Sequence, residues 1–201
     1  MNTLIAGGAG FIGLNLAEAV LRSGEHVVIY DPGAVPGAAQ RTFDKLPGSW
    51  RHIQESVIDS AALASTLTEQ RIDQVFYGAA VTSGPDRERD TPESVLSVNL
   101  VGLATVARLA AKTGIRRLIN LSSGSAYGLP DEDEPDWPPT LREEHTRERP
   151  VSLYALSKFA TEITTRRIAA LTGLDALSVR LSSIFGPWER DTGFRDTLSA
   201  P

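Results

Sequence analysis

A parallel α/β sheet, doubly wound with helices on both faces, is the fold class this sequence predicts. Three observations predict it. Short apolar runs alternate with longer stretches of helical period from end to end, the pattern of a parallel sheet with crossover helices. The first run, Thr3-Leu4-Ile5-Ala6, passes through Gly7-Gly8-Ala9-Gly10-Phe11-Ile12-Gly13 directly into a helical stretch. The second, Val27-Val28-Ile29-Tyr30, ends on an acid, Asp31.

Each element follows from its local pattern. Thr3–Ala6 reads as the first strand and Phe11–Ser23 as its helix, with Gly24 as the stop. Val27–Tyr30 is the second strand. Pro32–Ser49 is rich in Gly, Ala and Pro and is expected as a surface loop. Arg51–Glu55 and Gln74–Tyr77 are the next strands, separated by a helix over Ala61–Glu69. A long helix over Pro92–Thr113 ends at Gly114 and leads to a strand over Arg117–Leu121. Leu153–Thr172, stopped by Gly173, is the last helix, and Ala176–Arg180 the last strand.

The glycine run carries chemistry as well as geometry. One glycine makes the tight turn, one lets a pyrophosphate approach the backbone, and one lets helix pack on strand. The N–H groups at the helix start then bind phosphates. Asp31 stands where an acid takes the ribose hydroxyls. Strand, glycine turn, helix and acid together predict a dinucleotide site in a Rossmann-type fold.

Composition narrows the partners. At 201 residues the chain suits one domain, or one domain and part of another. A net charge of −5 argues against nucleic acid and against an anionic membrane. The chain has no cysteine, which removes disulfides, thiol nucleophiles and Cys-ligated metals. His26, His52 and His145 are scattered, and no metal is expected. A cytoplasmic location is expected, because the first strand begins almost at Met1 and leaves no room for a signal peptide. No apolar stretch reads as long enough to span a membrane.

Tyr154 and Lys158 lie four apart, on one face of the last helix. Upstream, Leu118-Ile119-Asn120-Leu121 runs into Ser122-Ser123-Gly124-Ser125-Ala126-Tyr127-Gly128. Strand C-terminal ends face the ligand crevice in a doubly wound sheet, so these serines belong at the reactive end of the cofactor. A free phenol has a pKa of about 10 and is a poor base near neutrality. A neighbouring ammonium is expected to lower it.

With these residues in view, the chain resembles the extended short-chain dehydrogenase/reductases, the NAD-dependent epimerase/dehydratase group. The resemblance runs over nearly the whole chain. It rests on Gly7–Gly13, Gly78-Ala79-Ala80, Asn99, Ser122-Ser123 with Tyr127-Gly128, Tyr154/Lys158, and Arg180 with Phe185-Gly186-Pro187. It implies NAD as cofactor and Ser123, Tyr154 and Lys158 as the catalytic set. Tyr154 is the implied acid/base, Lys158 its activator and ribose contact, and Ser123 the partner of the substrate oxygen. Gly7, Gly10, Phe11, Ile12, Gly13, Asp31, Ile58, Asp59, Ala79, Ala80 and Asn99 are the expected cofactor contacts, Asp59 at the adenine. Thr82, Ser83, Ser125 and Arg180 are the expected substrate contacts.

Several positions keep two readings. Asn99 is a relay group or a helix-packing amide. Tyr127 packs near the nicotinamide or in the core. Ser122 and Ser125 also read as turn residues, and Asp86-Arg87-Glu88-Arg89-Asp90 as a solvated face. Pro130–Pro150 is a functional loop or merely a charged one.

Two departures bear on the reaction. Dehydratases of the group carry an Asp-Glu pair after the catalytic Ser/Thr, where this chain has Gly124-Ser125. Members also continue past the Gly-Pro motif into a smaller lobe. Residues 1–187 are therefore expected to form the NAD-binding domain, and 188–201 the start of a substrate lobe that is truncated or not covered. Such a chain is expected to bind cofactor without completing a substrate site. The expected activity is reversible oxidation at a secondary hydroxyl of a sugar-like substrate, with a nucleotide-sugar epimerase leading. A free-sugar or sugar-acid dehydrogenase and a non-catalytic NAD sensor are the alternatives. The resemblance also implies a homodimer through Pro92–Thr113 and Leu153–Thr172, the latter being apolar on more than one face.

Overall fold

The computed structural model describes residues 1–82, 84–128, 141–145 and 150–189. Ser83, residues 129–140 and 146–149, which take in most of the expected charged loop, and residues 190–201 lie outside the described residues. Six parallel strands form one sheet: β1 (Asn2–Ala6), β2 (His26–Tyr30), β3 (Ser49–Ile53), β4 (Gln74–Tyr77), β5 (Arg117–Ser123) and β6 (Ala176–Leu181). Their order is β3-β2-β1-β4-β5-β6. It reverses between β1 and β4, and in such sheets the ligand crevice opens there, beyond the strand ends.

Successive side chains of a strand point to opposite faces, and here both faces are apolar. Ile5, Val27 and Ile29 pack with Leu14, Ala17 and Leu21 of α1 (Phe11–Arg22) and with Ala39 and Phe43 of α2 (Gly37–Phe43). Leu4, Ala6 and Val28 pack on the other side, with Leu63 and Leu67 of α3 (Ser60–Glu69) and with Leu103, Val106 and Ala110. Runs buried on both sides are what a parallel sheet requires.

The structure changes several expected elements. α2 lies inside the segment expected as a loop; Val35, Ala39 and Phe43, four apart, are its buried stripe. β3 starts two residues early because Gly48 N–H donates to the Leu21 carbonyl and Ser49 N–H to the Glu25 carbonyl, fixing the entry. α4 (Pro85–Asp90) is a short helix in which Asp86, Arg87, Arg89 and Asp90 are exposed, as expected of a solvated face, whereas the Glu88 carboxylate accepts from Leu153 N–H at 2.9 Å. The single helix expected over 92–113 is α5 (Pro92–Leu96), a widened π segment (Ser97–Gly102) and α6 (Leu103–Thr113). This stretch of 22 residues is, among the described helices, the one long and apolar enough to cross a membrane by length and composition, contrary to the sequence reading. Its apolar side faces the sheet: Val95, Leu103, Val106 and Ala110 are buried. α7 (Leu153–Thr172) has the expected limits, with Gly173 in the left-handed conformation as its stop.

Beyond β6 the chain returns across the sheet to α1. Asn15 Nδ2 donates to the Pro187 carbonyl at 2.7 Å, and Trp188 Nε1 to Glu18 at 2.8 Å. The Trp188 ring meets Phe43 edge-on, with centroids 6.2 Å apart. Trp188 therefore packs as part of this domain, one residue past the expected boundary.

Candidate active site

The crevice is built where the first glycine of the run meets β4. Gly7 N–H donates to the Tyr30 carbonyl and Gly78 N–H to the Ala6 carbonyl, so both loops leave the sheet side by side. Neither of two glycines in the run tolerates a side chain. A Cβ on Gly7 would lie 2.6 Å from Ala79 N, and one on Gly13 2.4 Å from the Gly7 carbonyl oxygen. α1 begins at Gly10 without a side-chain cap and with no acid in its first turn. Its first N–H groups and the positive end of its dipole face the crevice.

Two cavities of about 240 Å³ each share Gly7, Gly10, Gly78 and Ala80 as their floor. One extends to Tyr30, Asp31, Val57 and Ala79. The other extends to Phe11, Ile12, Gly13, Thr82, Ser122, Tyr154 and Lys158. The Asp31 carboxylate accepts from Ala9 N–H at 3.1 Å and Gly33 N–H at 2.7 Å, which ties the glycine run to the end of β2. A carboxylate has about four acceptor sites, so it can still take hydroxyl donors. The backbone cradle, the uncapped helix start and the acid at one end fit a dinucleotide.

At the opposite end, α7 meets the end of β5. The Ser123 side chain interacts with the Tyr154 phenol. Ser123 Oγ also accepts from the backbone N–H and the hydroxyl of Ser125, at 3.2 and 2.9 Å. Lys158 Nζ is buried, donates to the Leu121 carbonyl at 2.8 Å and lies 5.7 Å from the Tyr154 ring centroid. Burial pulls the Lys158 amine down to about 8. Burial also pushes the Tyr154 phenol up, and the Ser123 side chain offsets this only in part. The direction is opposite to the lowering expected from a neighbouring ammonium: desolvation dominates here.

Other expected contacts also have partners within the protein. Asp59 caps α3, accepting from the N–H groups of Ala61 and Ala62, while Ile58 is exposed; Ser56 and Val57 line the cavity instead. Asn99 is 1% exposed and fully engaged: Oδ1 accepts from Val81 N–H at 2.7 Å, and Nδ2 donates to the Val81 carbonyl and to Ser157 Oγ. It holds the loop after β4 against α7. Arg180, expected at the substrate, forms a bidentate pair with Glu162 at 2.8 and 2.7 Å. Ser122 is no turn residue; it is buried in β5 and donates to Glu162 at 2.6 Å. Sequence reasoning missed Glu162, although its spacing of four from Lys158 put it on the same helix face as the catalytic pair.

Comparison with known proteins agrees with this geometry. The family model described as "NAD dependent epimerase/dehydratase family" matches residues 3–200. A UDP-glucose 4-epimerase of Mycolicibacterium smegmatis is 31% identical over 188 residues, covering 93% of this chain and 57% of that protein. The crystal structure of UDP-glucose 4-epimerase from Thermotoga maritima with UDP-glucose superposes with a TM-score of 0.81 at 25% identity, over 96% of this chain and 59% of that one. The Thermus thermophilus UDP-glucose 4-epimerase in complex with NAD gives 0.77 at 27% identity, over 94% and 58%. The chain thus spans a little over half the length of these relatives. The glycine cradle, the acid after β2 and the Tyr154/Lys158 helix face are all found within the matched span, and the chain belongs to the NAD-dependent epimerase/dehydratase family.

Proposed function

We propose that the protein catalyses reversible oxidation at a secondary hydroxyl of a nucleotide sugar, as an epimerase. The observation that carries this reading is the Ser123–Tyr154–Lys158 cluster at the end of the cofactor crevice opposite Asp31. NAD, when bound, supplies the acceptor for the electron pair of the C–H bond. Tyr154 takes the hydroxyl proton of the same carbon and returns it when the carbonyl is reduced. Ser123 orients the substrate oxygen. Lys158, charged below about pH 8, stabilises the phenolate as it forms. Thr82 lines the crevice and Ser125 donates to the Ser123 hydroxyl; both are proposed substrate contacts. Gly124-Ser125 in place of an acid pair supports an epimerase over a dehydratase.

The test is a steady-state assay of the full-length protein with NAD against UDP-sugars and free sugar acids. An epimerase interconverts sugars with no net NADH; a dehydrogenase accumulates NADH; a sensor does neither. Tyr154→Phe is expected to abolish turnover and leave NAD affinity largely intact, because the cradle and Asp31 carry binding. A variant that retains wild-type kcat removes Tyr154 from the mechanism.

A further inference from the structure

We propose that Glu162 is a positioning residue for this reaction: paired with Arg180, it holds Ser122 and Tyr127 and so fixes the strand end that brings Ser123 to the Tyr154 hydroxyl. The inference rests on the role assigned above to Ser123 and Tyr154. Tyr154, Lys158 and Glu162 follow at intervals of four along α7 and meet the last three residues of β5. Tyr154 faces Ser123, Lys158 donates to the Leu121 carbonyl and Glu162 accepts from the Ser122 hydroxyl.

Arg180 completes the arrangement from β6. It is the register partner of Ser122 across the sheet, and its guanidinium closes on both oxygens of Glu162. The guanidinium carbon also lies 4.2 Å from the centroid of the Tyr127 ring. The 3₁₀ turn Gly124–Tyr127 directly follows Ser123. The ion pair therefore grips this turn on both sides, through Ser122 before it and Tyr127 within it. The Arg180 and Glu162 side chains are only 10% and 7% exposed. Burial pushes the Glu162 carboxyl up, but the bonds from Arg180 and Ser122 outweigh it and keep the group charged. Placing two charges out of water is costly, and breaking one such pair leaves the other charge uncompensated.

A double-mutant cycle separates positioning from general support. Glu162→Gln, Ser123→Ala and the double variant of the full-length protein are compared with wild type in kcat, KM and NAD affinity. Glu162→Gln is expected to lower kcat roughly tenfold or more, as misplaced reacting groups do. KM and NAD affinity should stay within about twofold. In the Ser123→Ala background Glu162→Gln should cost nothing further, because the group it positions is gone. If Glu162→Gln does not fold, Ser122→Ala takes its place in the cycle, cutting the link while leaving the ion pair intact. Equal losses of kcat in both backgrounds, or no loss in either, overturn the proposal. A crystal structure of the Glu162→Gln or Ser122→Ala variant reads the same claim without turnover. A Ser123 hydroxyl drawn away from Tyr154 supports it, and an unchanged placement overturns it. Full activity of Tyr154→Phe would instead overturn the reaction assigned above, with the structural comparison still deciding the case of Glu162.

Discussion

Asp31 closes one end of the crevice, the proposed adenosine end, with a carboxylate already anchored by two backbone N–H groups. A 2′-phosphate placed there would meet a fixed negative charge, and no arginine directly follows Asp31. NAD is therefore expected to bind more tightly than NADP; calorimetric titration of both measures it, and tighter NADP binding would remove Asp31 from the ribose site. Lys158 ties chemistry to stability. Its folded pKa is about 8 against the usual 10.5, so between these values the unfolded chain holds more protons than the folded one. Wild-type stability is expected to rise with pH across that window relative to Lys158→Met, which has no proton to release. Urea unfolding of both proteins from about pH 7 to about pH 10 is the measurement; parallel curves would show an amine in ordinary solvation. The fingerprint glycines, Asp31, Ser123, Tyr154 and Lys158 were legible because each recurs at a fixed sequence spacing from its element. The work of Asp59, Asn99 and Arg180 was not, because it depends on long-range partners such as Val81 and Glu162 that no local pattern names.

At the scale of elements, the strands were legible because their apolar runs are short, unbroken and bounded by polar residues. The π segment was hidden because nothing in Ser97-Val98-Asn99-Leu100-Val101-Gly102 separates one widened turn from the helical pattern around it. That turn carries Asn99, whose amide reaches the Val81 backbone, a partner 18 residues away. α2 was hidden by its Gly- and Ala-rich composition. Its anchor, Phe43, is 0% exposed and packs edge-on against Trp50 and Trp188. Phe43→Ala is expected to destabilise the fold by about 3–5 kcal/mol, the usual range for an emptied aromatic site. Denaturant unfolding checks this, and a loss below about 1 kcal/mol would mean that the site collapses around the smaller residue.

For the molecule as a whole, the face formed by the π segment, α6 and α7 carries apolar residues that the described residues leave exposed: Val101, Ile163 and Leu171 are 56%, 46% and 64% exposed. A groove of about 530 Å³ runs between them, lined by Leu100, Ala104 and Ile168 among others. A surface of this kind marks an interaction site, and a homodimer through these helices is the proposed assembly. Light scattering of the full-length protein at about micromolar concentration is expected to give twice the chain mass; a monomer mass would leave the groove to another partner. The segment that returns from β6 to α1 has an optical consequence. It sets Trp188 edge-on to Phe43, whose ring Trp50 also meets edge-on, and tryptophan emission overlaps the absorption of reduced nicotinamide. The protein thus carries its own donor fluorophore for energy transfer. Lifting that segment would strip Trp188 of Glu18 and redden its emission, while Trp50, held by Asp44, keeps its colour.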